Sequence, residues 1–291
     1  MTTSTADDAT LEAQLDDLLA RVRPERVVFT TGAGISAESG IPTFRGSDAG
    51  AVWAQDIMEL GTNEFFRRDP VTSWLWYLRR FGGLEGAAPN PAHRAIAALE
   101  RWQVERDRAF LLVTQNVDGL HRRAGSQRVV EVHGRADRVR CSRVRCEKGA
   151  PDGWIPRAEI DQERFLEAPS LETLPRCPAC GEILRQHVLW FDEYYTGHSD
   201  YEIERALRGA KTASVVLFVG TSFAVGITDM ILERALARGR AIFSIDPSGR
   251  SPHRAVEVLA EAAEAALPEL CRRLGVDPDA GEAGASGSEP A

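Results

Sequence analysis

The chain has 291 residues, 43% of them hydrophobic and 27% charged, which is typical of a globular protein. Its formal net charge of -8 argues against a surface built mainly for nucleic acid. No run approaches about 18 uncharged apolar residues, and residues 1–8 do not resemble a signal peptide. We therefore expect a cytoplasmic protein that does not contact membranes.

Short apolar strands alternate with helical patterns, which predicts the α/β class, with a parallel sheet covered by helices on both faces. In chain order the pattern predicts helix Leu11–Arg21, strand Val27–Thr31, helices Pro70–Phe81 and Pro91–Trp102, strands Phe110–Thr114 and Val129–Val132, helix Tyr201–Leu207, strand Ser214–Val219, helix Asp229–Ala237, strand Ala241–Ile245 and helix His253–Arg273.

Two stretches interrupt this alternation and predict a smaller second domain. Residues 47–89 have helical and irregular patterns, and residues 135–186 are rich in Arg, Pro, Glu and Cys. A cleft between two such domains is a common ligand site. The larger domain is then discontinuous, and the polar ends of the chain are expected to be disordered. We assign residues 10–46, 90–134 and 187–275 to the larger domain, and residues 1–9 and 277–291 to disordered tails.

The first predicted strand runs directly into Gly32-Ala33-Gly34-Ile35-Ser36. Glycine has no Cβ, so the backbone of this loop can approach a phosphate closely and direct N–H groups at it. The loop continues through Gly40-Ile41-Pro42 to Phe44-Arg45. An aromatic and a cationic side chain behind a Gly-Ile-Pro turn suggest a loop that covers a ligand as well as binding it.

Polar residues also follow the other predicted strands. Gln115, Asn116 and Asp118 come after the second strand, His133 after the third, and Gly220-Thr221-Ser222 after the fourth. Because ligands of open α/β sheets bind outside the carboxyl ends of the strands, we expect these loops to converge. His133 is the favoured functional histidine, since it ends a buried strand and precedes a glycine. We interpret His93 and His121 as structural, and His198 and His253 as exposed.

Four of the five cysteines form two close pairs, Cys141 with Cys146 and Cys177 with Cys180. Two disulfides are one interpretation, but the cytoplasm keeps thiols reduced, so metal binding is the better account. The sequence Cys177-Pro178-Ala179-Cys180-Gly181 is typical of a zinc knuckle. Four thiolates make a closed tetrahedral site, which predicts one structural zinc ion. Cys271 is then a buried or incidental thiol.

With these motifs in this order, the chain resembles the sirtuins, which are NAD-dependent protein lysine deacylases. The resemblance covers roughly residues 20–275 and implies a Rossmann-like domain with a smaller zinc-ribbon and helical module. It further implies that NAD is consumed as a co-substrate and that the partners are acylated lysine side chains of other proteins. The motifs are Gly32–Ser36, Gly40–Arg45, Thr114–Asp118, the His133 motif, the four paired cysteines, His187–Phe191 and Gly220–Ser222.

The resemblance assigns a role to each of these motifs. His133 corresponds to the general base, with Asn116 beside it in the catalytic set. Phe44 and Arg45 correspond to a mobile loop over the nicotinamide ribose. Asp118 and Asn116 correspond to residues that hold the nicotinamide end. The full set of implied NAD-binding residues is Gly32, Ala33, Gly34, Ser36, Phe44, Arg45, Gln115, Asn116, Val117, Asp118, Gly220, Thr221, Ser222 and Asp246.

Substrate recognition is implied at two places. Val188, Leu189 and Phe191 belong to an extended segment that pairs with the substrate backbone in the family. The alternative is a plain core strand. Tyr77 and Arg80 share one helix face and resemble the pair that marks sirtuins acting on acidic acyl groups. A guanidinium beside a phenol suits a carboxylate such as that of succinyl- or malonyl-lysine. The alternative is a core tyrosine and a solvated arginine.

The chain departs from the family pattern at Asp246, where Asn is common, and at Asp192, where Gly is usual. The expected function is deacetylation, with desuccinylation or demalonylation, giving nicotinamide, O-acyl-ADP-ribose and free lysine. Mono-ADP-ribosyl transfer or NAD hydrolysis is an alternative within NAD chemistry. A non-catalytic NAD-sensing protein is a further alternative, although such a protein need not keep Asn116, Asp118 and His133. A zinc-ribbon nucleic-acid binder is disfavoured by the net charge.

Overall fold

A computed structural model of the chain describes residues 5–22, 26–42, 58–84, 86–224 and 226–280, with the backbone alone for residues 5–12. The helices are α1 Thr5–Val22, α2 Asn63–Arg68, α3 Pro70–Phe81, α4 Pro91–Val104, α5 Leu120–Arg123, α6 Glu163–Glu167, α7 Ile203–Thr212, α8 Gly226–Leu236 and α9 Ala263–Arg273. The strands are β1 Arg26–Thr31, β2 Ala109–Thr114, β3 Val129–Glu131, β4 Gly134–Cys141, β5 Ile155–Pro156, β6 Leu184–Val188, β7 Val215–Val219, β8 Ala241–Ile245 and β9 Glu257–Leu259.

The main sheet has six parallel strands in the order β3-β2-β1-β7-β8-β9. The chain moves outward from β1 in both directions, which is the Rossmann arrangement. The strands also end level with one another, because Thr31 pairs with both Thr114 and Val219. The order reverses between β1 and β7, and a crevice at that point is the usual ligand site of this sheet type.

Helices cover both faces of this sheet, as predicted. On one face α1, α4 and α9 contribute Leu18, Leu99 and Leu270 to a core, and all three side chains are fully buried. On the other face α7 and α8 contribute residues such as Ala206 and Ile231. The central strands are buried on both sides, which explains why they read as continuous apolar runs.

A second, three-stranded antiparallel sheet has the order β5-β4-β6. Its core includes Trp74 from α3, and the Trp74 indole donates to the carbonyl of Leu184 in β6 at 2.7 Å. Parts of the two interrupting stretches, 47–89 and 135–186, therefore share one core. The boundaries between the two domains stay a prediction.

One residue joins the two helices of the first interrupting stretch. The backbone N–H of Asp69 donates to Phe65 and ends α2, while its carboxylate accepts from Thr72 N at 3.0 Å and begins α3. The hydrogen bonds from Thr72 hold the pKa of Asp69 below its usual value. Because one residue caps both helices, α2 and α3 meet without a loop between them.

Two predictions of local structure are wrong. A helix over His253–Arg273 was expected, but only Ala263–Arg273 is helical, and Glu257–Leu259 forms β9 at the edge of the main sheet. Residues 5–9 were assigned to a disordered tail, but they lie in α1. At the other end, residues 277–280 are described and Asp279 pairs with Arg94 at 2.7 Å, while 281–291 fall outside the described residues. No helix in the described part of the chain could cross a membrane.

Candidate active site

Three glycines bring the loops after β1 and β7 into backbone contact. Gly34 N–H donates to the carbonyl of Gly220 at 2.8 Å. A Cβ on Gly34 would lie 2.8 Å from the Cα of Gly220, and one on Gly220, where φ is 57°, would lie 2.4 Å from Ile35 N. A Cβ on Gly32 would lie 2.8 Å from the Gly220 carbonyl oxygen. Glycine is therefore needed to join the two loops at the crevice.

The polar residues predicted around the nicotinamide form one hydrogen-bonded cluster. The Ser36 hydroxyl donates to Asp118 at 2.8 Å and accepts from the amide of Asn116 at 2.9 Å. Asp118 also accepts from the backbone N–H of Leu120 at 2.9 Å. Burial raises the pKa of the Asp118 carboxyl, and these donors oppose the shift by favouring the carboxylate. The loops after β1 and β2 therefore converge as the sequence predicted.

His133 lies at the same edge of the sheet, directly after β3. Its Nδ1 is 2.9 Å from the carbonyl oxygen of Gln115, and its Nε2 is 3.3 Å from the hydroxyl of Tyr195. A carbonyl only accepts, so Nδ1 carries the proton and Nε2 keeps its lone pair. Burial lowers the pKa of His133 to about 4, and the Gln115 carbonyl opposes that shift. His133 is thus a neutral imidazole with the acceptor nitrogen a base requires. Tyr195 gave no signal in the sequence.

The two histidines interpreted as structural lie beneath this cluster. His121 is buried, with Nε2 2.9 Å from the Thr31 hydroxyl, and His93 is buried with Nε2 3.4 Å from the Ser36 hydroxyl. Their rings are 4.7 Å apart. Burial lowers the pKa of both, that of His93 to about 4, so both are neutral under the active site. Asn90 adds a 2.6 Å hydrogen bond to the Ile35 carbonyl.

Other predicted NAD-binding residues line the same edge. The Gln115 amide lies 3.3 Å from both the Thr31 carbonyl and the Thr221 hydroxyl, so it links three strands. Ser222 is exposed beside Thr221. Asp246 follows β8, and its carboxylate accepts from Ser248 N at 2.9 Å, which stabilises its own turn.

Of the four remaining residues in the predicted NAD-binding set, the structure describes Ala33 and Val117. Val117 packs against the core of the second sheet, and its carbonyl accepts from Ala136 N at 2.9 Å. Ala33 is half-buried at the start of a short 3-10 helix, Ala33–Ser39. Phe44 and Arg45 lie outside the described residues, so their predicted covering role is untested.

Tyr77 and Arg80 both lie on α3, and Tyr77 belongs to the second core. Tyr77 is buried against Trp76, Phe81 and Trp190, with ring centroids 4.6, 5.2 and 6.1 Å away. Arg80 is half-buried, and burial lowers the pKa of its guanidinium while Tyr77 opposes the shift. Arg80 is therefore more than a solvated surface arginine. Arg79, its neighbour in sequence, is exposed.

The segment predicted to bind substrate begins at Val188, the last residue of β6 in the second sheet. Val188 and Trp190 are buried in the second core, as the core-strand alternative expected, while Leu189 is half-buried and Phe191 is 56% exposed. Leu189 N–H donates to the carbonyl of His133 at 2.8 Å, and Phe191 N–H donates to Gly61 at 3.1 Å. The segment is thus hydrogen-bonded through Leu189 to His133, after the end of β3, and through Phe191 to Gly61, two residues before α2.

Asp192, where the family usually has glycine, makes a contact that the sequence did not reveal. Its two carboxylate oxygens accept from the backbone N–H groups of Asn63 and Glu64 at 2.7 and 3.0 Å. These are the first two residues of α2, whose free N–H groups attract a negative charge. Asp192 therefore fixes the substrate segment to the N-terminus of α2.

Glu193, the next residue, is bound by two buried arginines. Its carboxylate accepts from Arg185 at 3.0 Å and from Arg140 at 3.2 Å, and from Trp190 N at 3.1 Å. These arginines hold the pKa of Glu193 below its usual value against the effect of burial. Arg185 also donates to the Val188 carbonyl at 2.9 Å. This buried network stabilises the turn that follows the substrate segment.

The expectation that His198 is exposed is wrong. Its side chain is 2% exposed, with Nδ1 accepting from Asp200 N at 3.1 Å and Nε2 donating to the Gly153 carbonyl at 3.1 Å. His187 lies against it, with ring centroids 4.5 Å apart. The segment has only short 3-10 turns, so no periodic pattern marked this burial. His253 is exposed, as expected.

The four paired cysteines converge in the second module. The Sγ atoms of Cys141 and Cys180 are 3.5 Å apart, and those of Cys146 and Cys177 are 3.7 Å apart. Four sulfurs around a tetrahedral zinc ion are separated by about 3.8 Å, given Zn–S bonds of about 2.3 Å. The backbone N–H of Glu182 lowers the pKa of Cys180 to about 7, which favours a thiolate ligand. The four thiols therefore fit a structural zinc ion. Cys271 is buried elsewhere, against α4.

The parallel sheet, the crevice between β1 and β7 and the four-cysteine site define a dinucleotide-binding α/β protein with a structural metal centre. Comparison with known proteins identifies its family. The model of the Sir2 family matches residues 32–226, and the chain belongs to this family.

Curated relatives cover most of the chain. A Thermococcus kodakarensis protein named NAD-dependent protein deacylase is 41% identical over 261 residues, covering 88% of this chain and 93% of the relative. Pseudomonas aeruginosa NAD-dependent protein deacylase 1 is 40% identical over 259 residues, covering 88% and 96%.

Solved structures agree in fold. The crystal structure of a Sir2 homolog–NAD complex matches with a TM-score of 0.72 and 34% identity, covering 89% of this chain and 93% of the other. A structure described as Sir2 with a p53 peptide and NAD+ matches with a TM-score of 0.72 and 25% identity, covering 90% and 98%.

Proposed function

We propose that this protein is an NAD-dependent protein lysine deacylase that transfers the acyl group to ADP-ribose. The observation that carries the proposal is His133, a neutral imidazole with its lone pair on Nε2, beside the Ser36–Asn116–Asp118 cluster. Relatives named NAD-dependent protein deacylase span the same region of the chain. The partners are acylated lysines of other proteins.

The crevice suits a dinucleotide. The backbone has no side chains at three positions where the order of the strands reverses, namely Gly32, Gly34 and Gly220. Thr221 and Ser222 directly follow the last of these glycines. The N–H groups of these three glycines already donate to the carbonyls of Val219, Gly220 and Ile245, so the glycines contribute by letting the two loops meet at the crevice. Asp118, Asn116 and Ser36 supply a carboxylate, an amide and a hydroxyl that match the donors and acceptors of a carboxamide and a ribose. Gln115 and Asp246 extend this polar surface along the strand ends.

NAD supplies an electrophilic glycosidic carbon as nicotinamide leaves, and the amide oxygen of the acylated lysine is the nucleophile. The residues of this chain align the two reactants and exclude water, which contributes through proximity. Nε2 of His133 is the general base for a ribose hydroxyl, because Gln115 holds the proton on Nδ1. In this scheme Asn116 and Asp118 orient the nicotinamide end. Leu189 and Phe191 bind the substrate backbone, and Val188, which is buried in the second core, holds this segment in place.

The acyl group is the finer part of the proposal. We infer that Tyr77 and Arg80 bind the carboxylate of succinyl- or malonyl-lysine as well as admitting acetyl-lysine. Arg80 is half-buried beside a buried phenol, and its pKa is lowered by burial. A desolvated guanidinium gains more from a carboxylate partner than an exposed one does.

The test measures NAD-dependent removal of acetyl and succinyl groups from one lysine peptide by mass spectrometry. His133→Ala should abolish lysine release with both peptides. Arg80→Met should selectively lower succinyl removal, while Arg79→Met, which changes an exposed neighbour, should alter neither reaction. Full activity in His133→Ala would contradict the mechanism, and equal loss of both reactions in Arg80→Met would contradict the acyl-group assignment.

Mono-ADP-ribosyl transfer and NAD hydrolysis are separated by the same assay. Either reaction would release nicotinamide without a matching release of free lysine. A non-catalytic NAD-sensing protein would consume no NAD.

A further inference from the structure

Tyr195 occupies a position beside the proposed base that no assigned role explains. Its hydroxyl is 3.3 Å from Nε2 of His133, and the two rings stack with centroids 5.9 Å apart and planes 23° from parallel. The two residues are 62 positions apart in the chain. Tyr195 begins a short 3-10 helix, Tyr195–Gly197, two residues after the anchored Glu193. Its position is therefore set by the same buried network that holds the substrate segment.

The direction of the hydrogen bond between Tyr195 and Nε2 of His133 follows from the contact that Nδ1 makes on the other side of the imidazole ring. Because the Gln115 carbonyl must accept from Nδ1, Nε2 has no proton to donate. The Tyr195 hydroxyl is therefore the donor and Nε2 the acceptor. Burial raises the pKa of Tyr195, so the phenol keeps its proton at neutral pH. The lone pair on Nε2 of His133, which is expected to accept the ribose proton, already accepts a hydrogen bond from the Tyr195 hydroxyl.

The phenol oxygen has a second fixed neighbour. The backbone N–H of Ile227, near the start of α8, opposes the effect of burial on the pKa of Tyr195, which places this donor near the phenol oxygen. The phenol oxygen carries two lone pairs besides the single proton that it donates to His133. One acceptor position thus remains for an incoming hydroxyl group, next to the proton that points at His133.

On the basis of the proposed deacylase function, we propose that Tyr195 is a catalytic residue that relays the proton from the attacking ribose hydroxyl to His133. The ribose O–H bond breaks as its proton moves to the phenol oxygen, and the phenol proton moves to Nε2. The phenol is restored and His133 becomes an imidazolium. The electron pair left on the ribose oxygen forms a bond to the acyl carbon, whose π pair moves onto the lysine nitrogen.

The first test compares two steps of the reaction in the full-length protein. Exchange of labelled nicotinamide into NAD does not need the base, whereas acyl transfer does. Tyr195→Phe should slow single-turnover acyl transfer by about 10-fold or more and leave nicotinamide exchange intact, so the ratio of exchange to transfer rises. Tyr194→Phe is the matched control, because Tyr194 is 81% exposed and should leave both rates unchanged.

The second test needs no turnover. The Nε2 nitrogen resonance of His133, assigned by comparison with His133→Asn, reports whether that nitrogen accepts a hydrogen bond. Tyr195→Phe should move this resonance toward the value of a free acceptor nitrogen, and Tyr194→Phe should leave it in place. An unshifted resonance in Tyr195→Phe would overturn the proposed contact.

The proton relay and the deacylase function can fail independently. If the wild-type protein removes acyl groups and Tyr195→Phe leaves the ratio of nicotinamide exchange to acyl transfer unchanged, the relay alone is overturned. Faster acyl transfer in Tyr195→Phe would also overturn it, because the phenol would then be obstructing the base. A wild-type protein that consumes no NAD with an acyl-lysine peptide would overturn the proposed function and the relay with it.

Discussion

The carbonyl oxygen of Gln115 lies 2.9 Å from Nδ1 of His133, which joins the ends of β2 and β3 at the candidate active site. The contact fixes the tautomer of the imidazole without any charged partner. A carboxylate in the same place would raise the histidine pKa, whereas here burial lowers it to about 4. His133 is therefore neutral over the whole physiological pH range.

This protonation state predicts the pH dependence of the reaction. Single-turnover acyl transfer should be constant from about pH 8 to about pH 6 and should fall only as the pH approaches about 4, because the base is lost when Nε2 is protonated. Rapid-quench measurements across this range check the prediction, with folding monitored in parallel by circular dichroism. A midpoint near 6.5 would show that burial does not shift His133.

Asp192 predicts a coupling between substrate affinity and the α2 helix. Asp192→Gly removes both acceptors from the Asn63 and Glu64 amides and should cost about 1 kcal/mol of stability, as loss of a helix cap does. It should also raise the KM for the peptide more than it lowers kcat, since Phe191 is attached to the same helix start.

Asp161→Gly is the matched control for Asp192→Gly, because Asp161 is exposed and its carboxylate accepts from Glu163 N at 2.9 Å at the start of α6. It should lower stability by a similar amount without changing KM. Amide exchange at Asn63 and Glu64 should accelerate in Asp192→Gly alone. Equal effects of both variants on KM would contradict the coupling.

The cysteine site predicts metal dependence of the fold. Cys177→Ser should lower the zinc content from about one ion per chain to nearly none, and the thermal midpoint should fall, because metal binding contributes directly to folding. Elemental analysis and calorimetry measure the two quantities. Cys271→Ser, at the buried cysteine outside the site, should keep its zinc. Unchanged zinc in Cys177→Ser would contradict the four-thiolate site.

The buried histidines predict a stability that falls on acidification. The pKa of His93 is lowered to about 4 by burial, so between the unfolded value of 6.5 and about 4 the unfolded chain binds a proton that the folded chain does not. Stability is thus fully present above pH 6.5 and is lost progressively below it, by about 2 kcal/mol for such a histidine at pH 5.

Urea unfolding at pH 7.5 and pH 5 measures this loss of stability. His93→Gln should reduce the difference between the two conditions, whereas His253→Gln, at an exposed histidine, should not. An unchanged difference in His93→Gln would contradict the assignment. Burial also lowers the pKa of three other histidines, His121, His133 and His187. Part of the difference in stability between pH 7.5 and pH 5 should therefore persist in His93→Gln.

Much of the fold and of the site could be predicted from the sequence. Parallel strands that are buried on both faces have apolar sequences, and their carboxyl ends share one edge of the sheet. These two facts predict from the sequence that the loops carrying Ser36, Asn116, Asp118 and His133 converge. The α3 helix was predicted with its observed bounds, because Asp69-Pro70 is a strong helix start.

The remainder depends on contacts between distant parts of the chain. The segment around Glu257–Leu259 is rich in Ala and Glu and favours a helix by propensity, but pairing with Phe243–Ile245 makes it an edge strand. Glu193 and Arg140 would be interpreted as surface charges from the sequence, and their pairing with each other, together with the pairing of Glu193 with Arg185, allows them to be buried. Tyr195 lies in a 3-10 helix of only three residues, which is too short to give a periodic pattern in the sequence, so its contact with His133 could not be predicted.

The three glycines at the crevice have a consequence for ligand exchange. Gly34 is hydrogen-bonded to Gly220, and both loops continue the hydrogen bonding of β1 and β7, so the separation of these walls follows the spacing of the strands rather than the rotamer of any side chain. The end of the crevice proposed to hold the diphosphate is thus rigid before anything binds. A dinucleotide entering there loses its own freedom but costs the protein little ordering entropy at that end.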